Sequence, residues 1–419
     1  MAAGNESLLE TVALVLDFLI IGGGVAGSAL AIMLGRQGRS VELVERERFP
    51  REKPCGEGLM PSGVAVLEKL GLEPTVGGVR FEGIRYSRAG GAVEARFPEI
   101  NGLPSHGLAQ RRFRLDHALL QAAASTPGVH VRTGYTLDRL VREDGKVRGA
   151  EFGGSRRRAK IVIGADGANS RTRALLGWNV PAKRRRVGAR AHFRLAVGRE
   201  VRPLVNVYLL DGCELYVTPL PDGEVGVAVL ADGDSVGMPL DAAFRDWRFR
   251  PRELAEYLEG AQQITDLLAT SPLGNGSRRG SAPGLVLLGD AAGSTDPITG
   301  GGMAQALLSA ALLAKHLSQN RCAEFAWLPA FERDRRLLLR DYRRVTRMVL
   351  WLSRHPRAAA VGFEAVSRFP WMLSHLIGVS GSLRPLVGLR GATETLLPEL
   401  LSDERERGPA RPALPEFQR

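Results

Sequence analysis

"DFLIIGGGVAGSALAIMLGRQGRSVELVER", residues 17–46, decides the fold. Phe18–Ile21 is a short apolar run of the kind that forms a buried parallel strand. A glycine turn follows, then a helical stretch over 25–36, then a second strand near Val41–Val44. This is a βαβ unit of the expected length of about 30 residues. Within it Gly22-x-Gly24-x-x-Gly27 closes the strand and opens the helix. Gly22 permits the tight turn, Gly24 lets the backbone approach a pyrophosphate, and Gly27 allows close helix–strand packing. The helix N-terminus favours the phosphate charge. Glu45 closes the second strand at the distance suited to a ribose 2′-OH. The complete context argues for a dinucleotide site over a purely structural turn.

Two further segments carry the same grammar. "GADGANSRTR", 164–173, ends an apolar strand at Asp166-Gly167 and starts a helix, with Ser170 as an N-cap candidate. "GDAAGSTDPITGGGMAQAL", 289–307, ends a buried strand at Asp290, turns at Asp296-Pro297 and presents Gly300–Gly302 before a long helix. Such a run offers backbone N–H groups to an anion. An Asx-turn explains a Gly-Asp strand end, but not three consecutive glycines. The three segments are separated in sequence and must converge in space. Alternating strands over 187–232 are inserted between the last two. Residues 241–271 read as helical, as do 302–380.

These segments together resemble the FAD-dependent hydroxylase superfamily, the group that contains p-hydroxybenzoate hydroxylase, geranylgeranyl reductases and flavin-dependent halogenases. The implied fold is α/β: a Rossmann-like FAD-binding domain, an inserted β-sheet substrate domain and a helical C-terminal region. The expected division is 17–75, 105–180 and 280–320 for FAD, 76–104 and 181–279 for substrate, 321–400 for the helices, and 403–419 as a disordered tail. The resemblance places Gly22, Gly24, Ala26 and Gly27 on the FAD pyrophosphate and Glu45 on the adenosine ribose. Arg112, in "RRFRLD", matches an arginine that reaches the flavin cofactor. Asp166 and Gly167 match a motif tied to FAD and NAD(P)H. Asp290 would hold the ribitol, and Pro297, Gly301, Gly302 and Met303 would lie by the isoalloxazine ring. No second GxGxxG follows a strand, so NAD(P)H is expected as a transient co-substrate.

"PCGEGLMP", 54–61, follows the first βαβ unit. Gly56, Glu57, Gly58 and Leu59 are expected to line the flavin or substrate cavity, with Cys55 as a small wall residue rather than a catalytic thiol. Cys55, Cys213 and Cys322 are far apart and form no CxxC, which fits a reducing cytoplasm. On the inserted sheet, Arg190, His192 and Arg194 share a strand face, and Tyr208 and Tyr216 lie on neighbouring strands. His192 is a candidate base and Tyr216 a second candidate catalytic residue. A half-exposed structural histidine, and arginines at the surface or facing the cofactor, are the plainer readings.

The preferred reaction is monooxygenation of a lipophilic aromatic or polyketide-like substrate, which the resemblance routes through a flavin C4a-hydroperoxide and O2. The alternative is geranylgeranyl-type saturation of C=C bonds, favoured by "KPCGEGLMP". Against it, Cys213, Thr218 and Leu220 depart from the reductase pattern P-x-x-Y-x-W-x-F-P, and Gly301 replaces its glutamate. Halogenation, lacking a Lys between 69 and 146, and a non-catalytic flavin-binding protein rank below.

Composition narrows the partners. The 419 residues carry a formal charge of +12, and of 57 basic residues only six are lysine. No zinc spacing, helix-turn-helix or aromatic RNA-binding motif accompanies that charge, so neither a metal nor a nucleic acid is expected. The basic helix over 331–355 is expected to pack its apolar face and solvate its arginines; the alternative is contact with an anionic membrane. No signal peptide or membrane span is read, and the expected location is the cytoplasm.

Overall fold

The computed structural model describes residues 15–89, 91–100, 102–320 and 324–387. The expected tail at 403–419, and Cys322, lie outside the described residues. The chain opens with β1 (Leu16–Ile21), α1 (Val25–Arg36) and β2 (Val41–Glu45). Then come β3 (Gly83–Arg88), β4 (Gly91–Arg96), α2 (Arg112–Ala124), β5 (Val129–Thr133) and β6 (Ser155–Gly164). The inserted strands are β7 (Arg186–Arg194), β8 (Leu204–Leu210), β9 (Cys213–Pro219) and β10 (Glu224–Asp232). The chain then returns through β11 (Leu285–Leu287) to α3 (Gly302–Gln319), α4 (Leu328–Leu352), α5 (Pro356–Arg368) and α6 (Pro370–Ser380).

Two eight-stranded sheets organise these elements. In the first, β11, β6, β1, β2 and β5 are parallel neighbours. Their apolar runs are buried on both faces, because α1, α2 and α3 cover one side and a hairpin over 137–152 covers the other. This order brings the ends of β1, β6 and β11 side by side, so the three glycine-containing segments converge.

The second sheet pairs β7, β10, β9, β8, β3 and β4 in that order. One face packs on its own helices through Phe193, Tyr208, Leu215, Val227, Phe244 and Trp247. The other turns toward the first domain, and its register defines a row of Tyr86, Val207, Tyr216, Ala228 and Arg190. Tyr208 therefore points away from Tyr216, into the opposite core.

Residues 241–271 are not one helical region. Two short helices, Leu240–Phe249 and Arg252–Tyr257, are followed by strands at Gln262–Gln263 and Leu268–Thr270 that pair with β7. The apolar periodicity there does not outlast Pro251 and Gly260, and the free edge of β7 recruits the remainder. The long basic helix α4 buries Phe331, Leu338, Tyr342 and Val345, which are spaced to lie on one face.

Candidate functional site

The glycines of the first turn divide into two kinds. A Cβ on Gly22 would lie 2.5 Å from Ala165 O, and one on Gly27 would lie 1.9 Å from Gly22 O. These two let backbones touch. At Gly24 the nearest atom to such a Cβ is an Arg51 nitrogen at 3.8 Å, and at Gly56, Gly300 and Gly302 nothing lies within 4 Å. Bare backbone facing open space is what a cofactor cradle requires. Ala26 is buried beside Gly289. Glu45 is buried, and its two oxygens accept from Gly23 N at 2.7 Å and Glu47 N at 2.9 Å, which fixes the end of β2.

A cluster of charge surrounds this groove. Arg112 forms a bidentate pair with Asp116, one turn further along α2, at 2.6 and 2.7 Å. Burial works against its charge, but Asp116 holds the guanidinium fully protonated. Arg51 joins the same carboxylate at 3.2 Å. Asp166 is turned inward: it accepts from Ser170 Oγ at 2.5 Å and from Thr172 N at 2.8 Å, and Ser170 in turn caps Arg173 N. Asp166-Gly167 thus shapes the turn, with Gly167 at φ +81°. Arg173 then ties this turn to the next motif by donating to Asp290 O and Ala291 O, each at 3.1 Å. The Asp290 carboxylate makes no hydrogen bond among the described residues and is free to accept from a polyol.

At the third motif Asp296 accepts from Ile298 N at 3.1 Å and starts a single 3-10 turn through Pro297. Gly300 turns left-handed at φ +70°, and Gly301 caps the 18-residue α3. Gly301 is packed: its Cβ would lie 2.5 Å from the Tyr342 ring. Gly302 is open. The exposed amides and aligned dipole of α3 suit negative charge on a reduced flavin. Met303 Sδ stands 4.0 Å from Cys55 Sγ, so the 54–61 loop meets this helix end. The bare glycines, the free Asp290 carboxylate and the cations between them fit FAD. When bound, FAD supplies the hydride-transfer centre.

The 54–61 loop is fastened to the second sheet by side chains far apart in sequence. Glu57 adopts φ +62°, and its Oε2 lies 2.6 Å from His192 Nε2. Its Oε1 accepts from Arg112 N at 3.0 Å, and Arg190 stands 3.3 Å away. Gly226 leaves room for this carboxylate, since a Cβ there would lie 3.4 Å from it. Thr218 Oγ1 donates to Gly56 O at 2.7 Å. Gly58 faces Phe81 and Val205, Leu59 is buried in the core, and only Gly56 is open.

His192 and Arg190 are not surface groups: they are 0% and 1% exposed. Burial follows because β7 is an inner strand and the loop closes over it. His192 Nδ1 lies 3.1 Å from Thr265 Oγ1, so protein groups occupy both ring nitrogens. Arg190 binds Glu52 at 2.7 Å and Lys53 O at 2.9 Å. Arg194 alone of the three is exposed, paired with Glu224 at 3.0 Å. Tyr216 donates to Ile298 O at 2.9 Å. Burial, and then Glu214, push its hydroxyl well above 10.

A second polar cluster adjoins the flavin loop. Arg186 binds Glu214 at 2.6 Å and Asp296 at 3.3 Å, with Asp232 at 3.5 Å. Burial pushes Glu214 up to about 7 against the pull of the Arg186 guanidinium, with Asp296 and Asp232 adding to the rise. The sequence singled out Glu57, His192 and Arg190 but not their contact, and gave no site role to Arg173, Arg186 or Lys53. Only the "KPCGEGL" spacing hinted at that contact.

Comparisons with known proteins agree with an FAD-binding fold. A family model described as an FAD binding domain matches residues 15–201, and one described as squalene epoxidase matches 254–326. The chain is 30% identical to a menaquinone reductase of Mycobacterium tuberculosis over 355 residues, covering 76% of this chain and 80% of that protein. It is 29% identical to a squalene monooxygenase of Mus musculus, covering 70% of this chain and 53% of that protein. A flavoprotein/dehydrogenase from Cytophaga hutchinsonii shares the fold with a TM-score of 0.76 at 20% identity, covering 87% of this chain and 92% of that one. The chain belongs to the FAD-dependent hydroxylase superfamily and is an FAD-dependent oxidoreductase. NAD(P)H is the reductant typical of that family.

Proposed function

We propose that the protein acts on a carbon–carbon double bond in a lipophilic, isoprenoid-type chain, and that it saturates that bond at the expense of NAD(P)H. One carbon takes a hydride and its neighbour a proton, so the bond gains two hydrogens and NAD(P)H is oxidised. The observation that carries this reading is the engagement of His192. With Glu57 on Nε2 and Thr265 on Nδ1, both ring nitrogens of His192 are engaged, so the histidine is not a free base for a phenol. The rest of that sheet face is apolar, a packed cluster that includes Phe81, Val205, Val207 and Leu220, with Tyr86 and Tyr216 partly buried against it. Such a face suits a hydrocarbon chain with few polar handles. Likeness to a menaquinone reductase and to a digeranylgeranylglycerophospholipid reductase supports reduction of a lipophilic substrate.

The second reading is oxygen insertion into that same kind of alkene, favoured by the squalene epoxidase match over 254–326. Turnover with an isoprenoid alkene under ¹⁸O₂ and under anaerobic conditions separates the two. Saturated product without oxygen supports reduction. Incorporation of ¹⁸O supports epoxidation and defeats the first reading.

We also infer that the substrate is collected at an anionic bilayer. No helix among the described residues is long and apolar enough to cross a membrane. The contact would instead be made by α5, which buries none of its residues. Exposed Trp351 precedes it, exposed Phe369 and Trp371 follow it, and Val361 projects from its middle. Arg357 and Arg368 belong to the same helix. Aromatic anchors with arginines match an interfacial helix.

A further inference from the structure

Lys53 stands apart from the other cations of the groove. Arg112 and Arg51 share Asp116, while Glu52, next in the chain, takes Arg111 at 2.6 Å and Arg190 at 2.7 Å. The Lys53 ammonium has no hydrogen bond and no carboxylate within 4.0 Å among the described residues; only the residue's carbonyl is engaged, by Arg190. Lys53 is half-buried, and its Nζ lies 3.6 Å from where a Cβ on Gly167 would be. Arg112 and Arg51 repel it, and Asp290 and Asp116 attract it from further away. Burial, and then Arg112, hold its ammonium below the usual lysine range. Three cations (Arg51, Lys53, Arg112) thus face two anions (Asp116, Asp290) around a groove floored by bare Gly24. The surplus is positive, and Lys53 is the one cation without a close counter-charge.

We propose that Lys53 grips the diphosphate of bound FAD, so that the 51–57 segment straps the cofactor into the groove between Gly24 and Asp290. A lysine is suited to this as a mobile point charge that meets phosphate oxygens without demanding a fixed plane. Cofactor binding then supplies the counter-ion that the protein withholds. An arginine in its place would keep the charge.

The experiment is titration of apo-protein with FAD and, separately, with ADP, which carries the diphosphate without the flavin. Wild type, Lys53→Met and Lys53→Arg are compared, with melting of each apo-protein. The expected result is a 10- to 100-fold weaker Kd for both ligands in Lys53→Met and recovery of most of it in Lys53→Arg. The melting temperature of apo Lys53→Met should not fall, because the uncompensated cation is gone. Wild-type FAD affinity should decline as pH rises through the depressed lysine range, and Lys53→Met should lack that step. Unchanged FAD binding in Lys53→Met overturns the proposal. So does a loss for FAD but not for ADP, which would place Lys53 on the flavin ring, or a drop in apo stability, which would make it a structural residue.

Discussion

Glu57 Oε2 lies 2.6 Å from His192 Nε2, and both side chains are sealed from solvent. The pair joins the loop after the first βαβ unit to the inner face of the second sheet. Glu57 also receives Arg112 N and Arg190, so one carboxylate holds three elements together. Removing one partner of a buried ion pair such as Glu57–Arg190 costs about 3–5 kcal/mol, because the other is left uncompensated. Glu57→Ala is therefore expected to lower the melting temperature by several degrees and to weaken FAD binding. His192→Gln should cost less, and the two losses should not add. A double-mutant cycle on thermal stability measures this, and strict additivity would show that the pair carries no coupling.

Gly27 and Gly302 are expected to respond in opposite ways. A methyl on Gly27 would collide with Gly22 O at 1.9 Å, so Gly27→Ala should damage the apo fold itself. A methyl on Gly302 meets no protein atom within 4 Å and sits in the first turn of α3. Alanine there is neutral or favours the helix by up to about 1 kcal/mol. Gly302→Ala should leave apo stability unchanged or raised, while FAD affinity falls at least about tenfold as the methyl takes ligand space, a loss of about 1.4 kcal/mol. Retained FAD affinity in Gly302→Ala would show that the open space there is not the flavin's.

Tyr216 presents a choice between positioning and proton donation. Its hydroxyl is committed to Ile298 O at 2.9 Å, one residue past the Pro297 turn. A single neutral hydrogen bond contributes about 0.5–1.5 kcal/mol. Tyr216→Phe is expected to slow turnover by less than about tenfold and to loosen FAD by a similar factor, since that energy holds the flavin loop. Stopped-flow reduction by NAD(P)H, followed by reoxidation with the alkene, separates the steps. Collapse of the alkene step alone, with FAD binding intact, would identify the tyrosine as the proton donor.

Glu214 makes stability depend on pH. Its ordinary value is 4.5, and burial raises it to about 7 in the fold. Below pH 4.5 both folded and unfolded states are protonated, and the contribution to stability is fully present. Between 4.5 and about 7 the unfolded chain releases the proton while the fold retains it, so stability declines as pH rises. The slope is at most about 1.4 kcal/mol per pH unit. Glu214→Gln should remove this decline and give a flatter profile over the same window. Denaturant midpoints across that range test it; parallel profiles for the two proteins would exclude Glu214 as the titrating group.

The first βαβ unit and the two later strand ends were legible because each is short. A strand, a turn and a helix start within ten residues leave a pattern in glycine spacing and apolar runs. What joins them was not legible. Glu57 and His192 are 135 residues apart, and Arg173 reaches Asp290 across 117. Such contacts are set by which strand lies beside which, and no local period records that. The glycines show the same limit: Gly22, Gly27, Gly301 and Gly302 look alike as letters, yet the first three admit backbone or ring and the last faces open space. Cys55, expected as a small wall residue of the flavin or substrate cavity, stands beside Met303 at the start of α3.

The surface around α5 gives the last prediction. The helix spans 13 residues, or about 20 Å. Trp351 lies just before it, and Phe369 and Trp371 just after it, so exposed aromatics mark both ends. Trp351 is 52% and Trp371 68% exposed, which is costly in water unless a less polar phase covers them. Phosphatidylglycerol vesicles should therefore bind the holo-protein, and phosphatidylcholine vesicles should bind it much more weakly, because the arginines add attraction only to anionic lipid. Brominated acyl chains should quench tryptophan emission, and that quenching should vanish in Trp351→Phe/Trp371→Phe. Replacing Trp351, Phe369 and Trp371 together by serine should abolish vesicle binding while turnover of a detergent-dispersed substrate persists, since none of the three touches the flavin groove. Equal binding of the triple variant to anionic vesicles would move the membrane contact elsewhere, without bearing on the chemistry at the double bond.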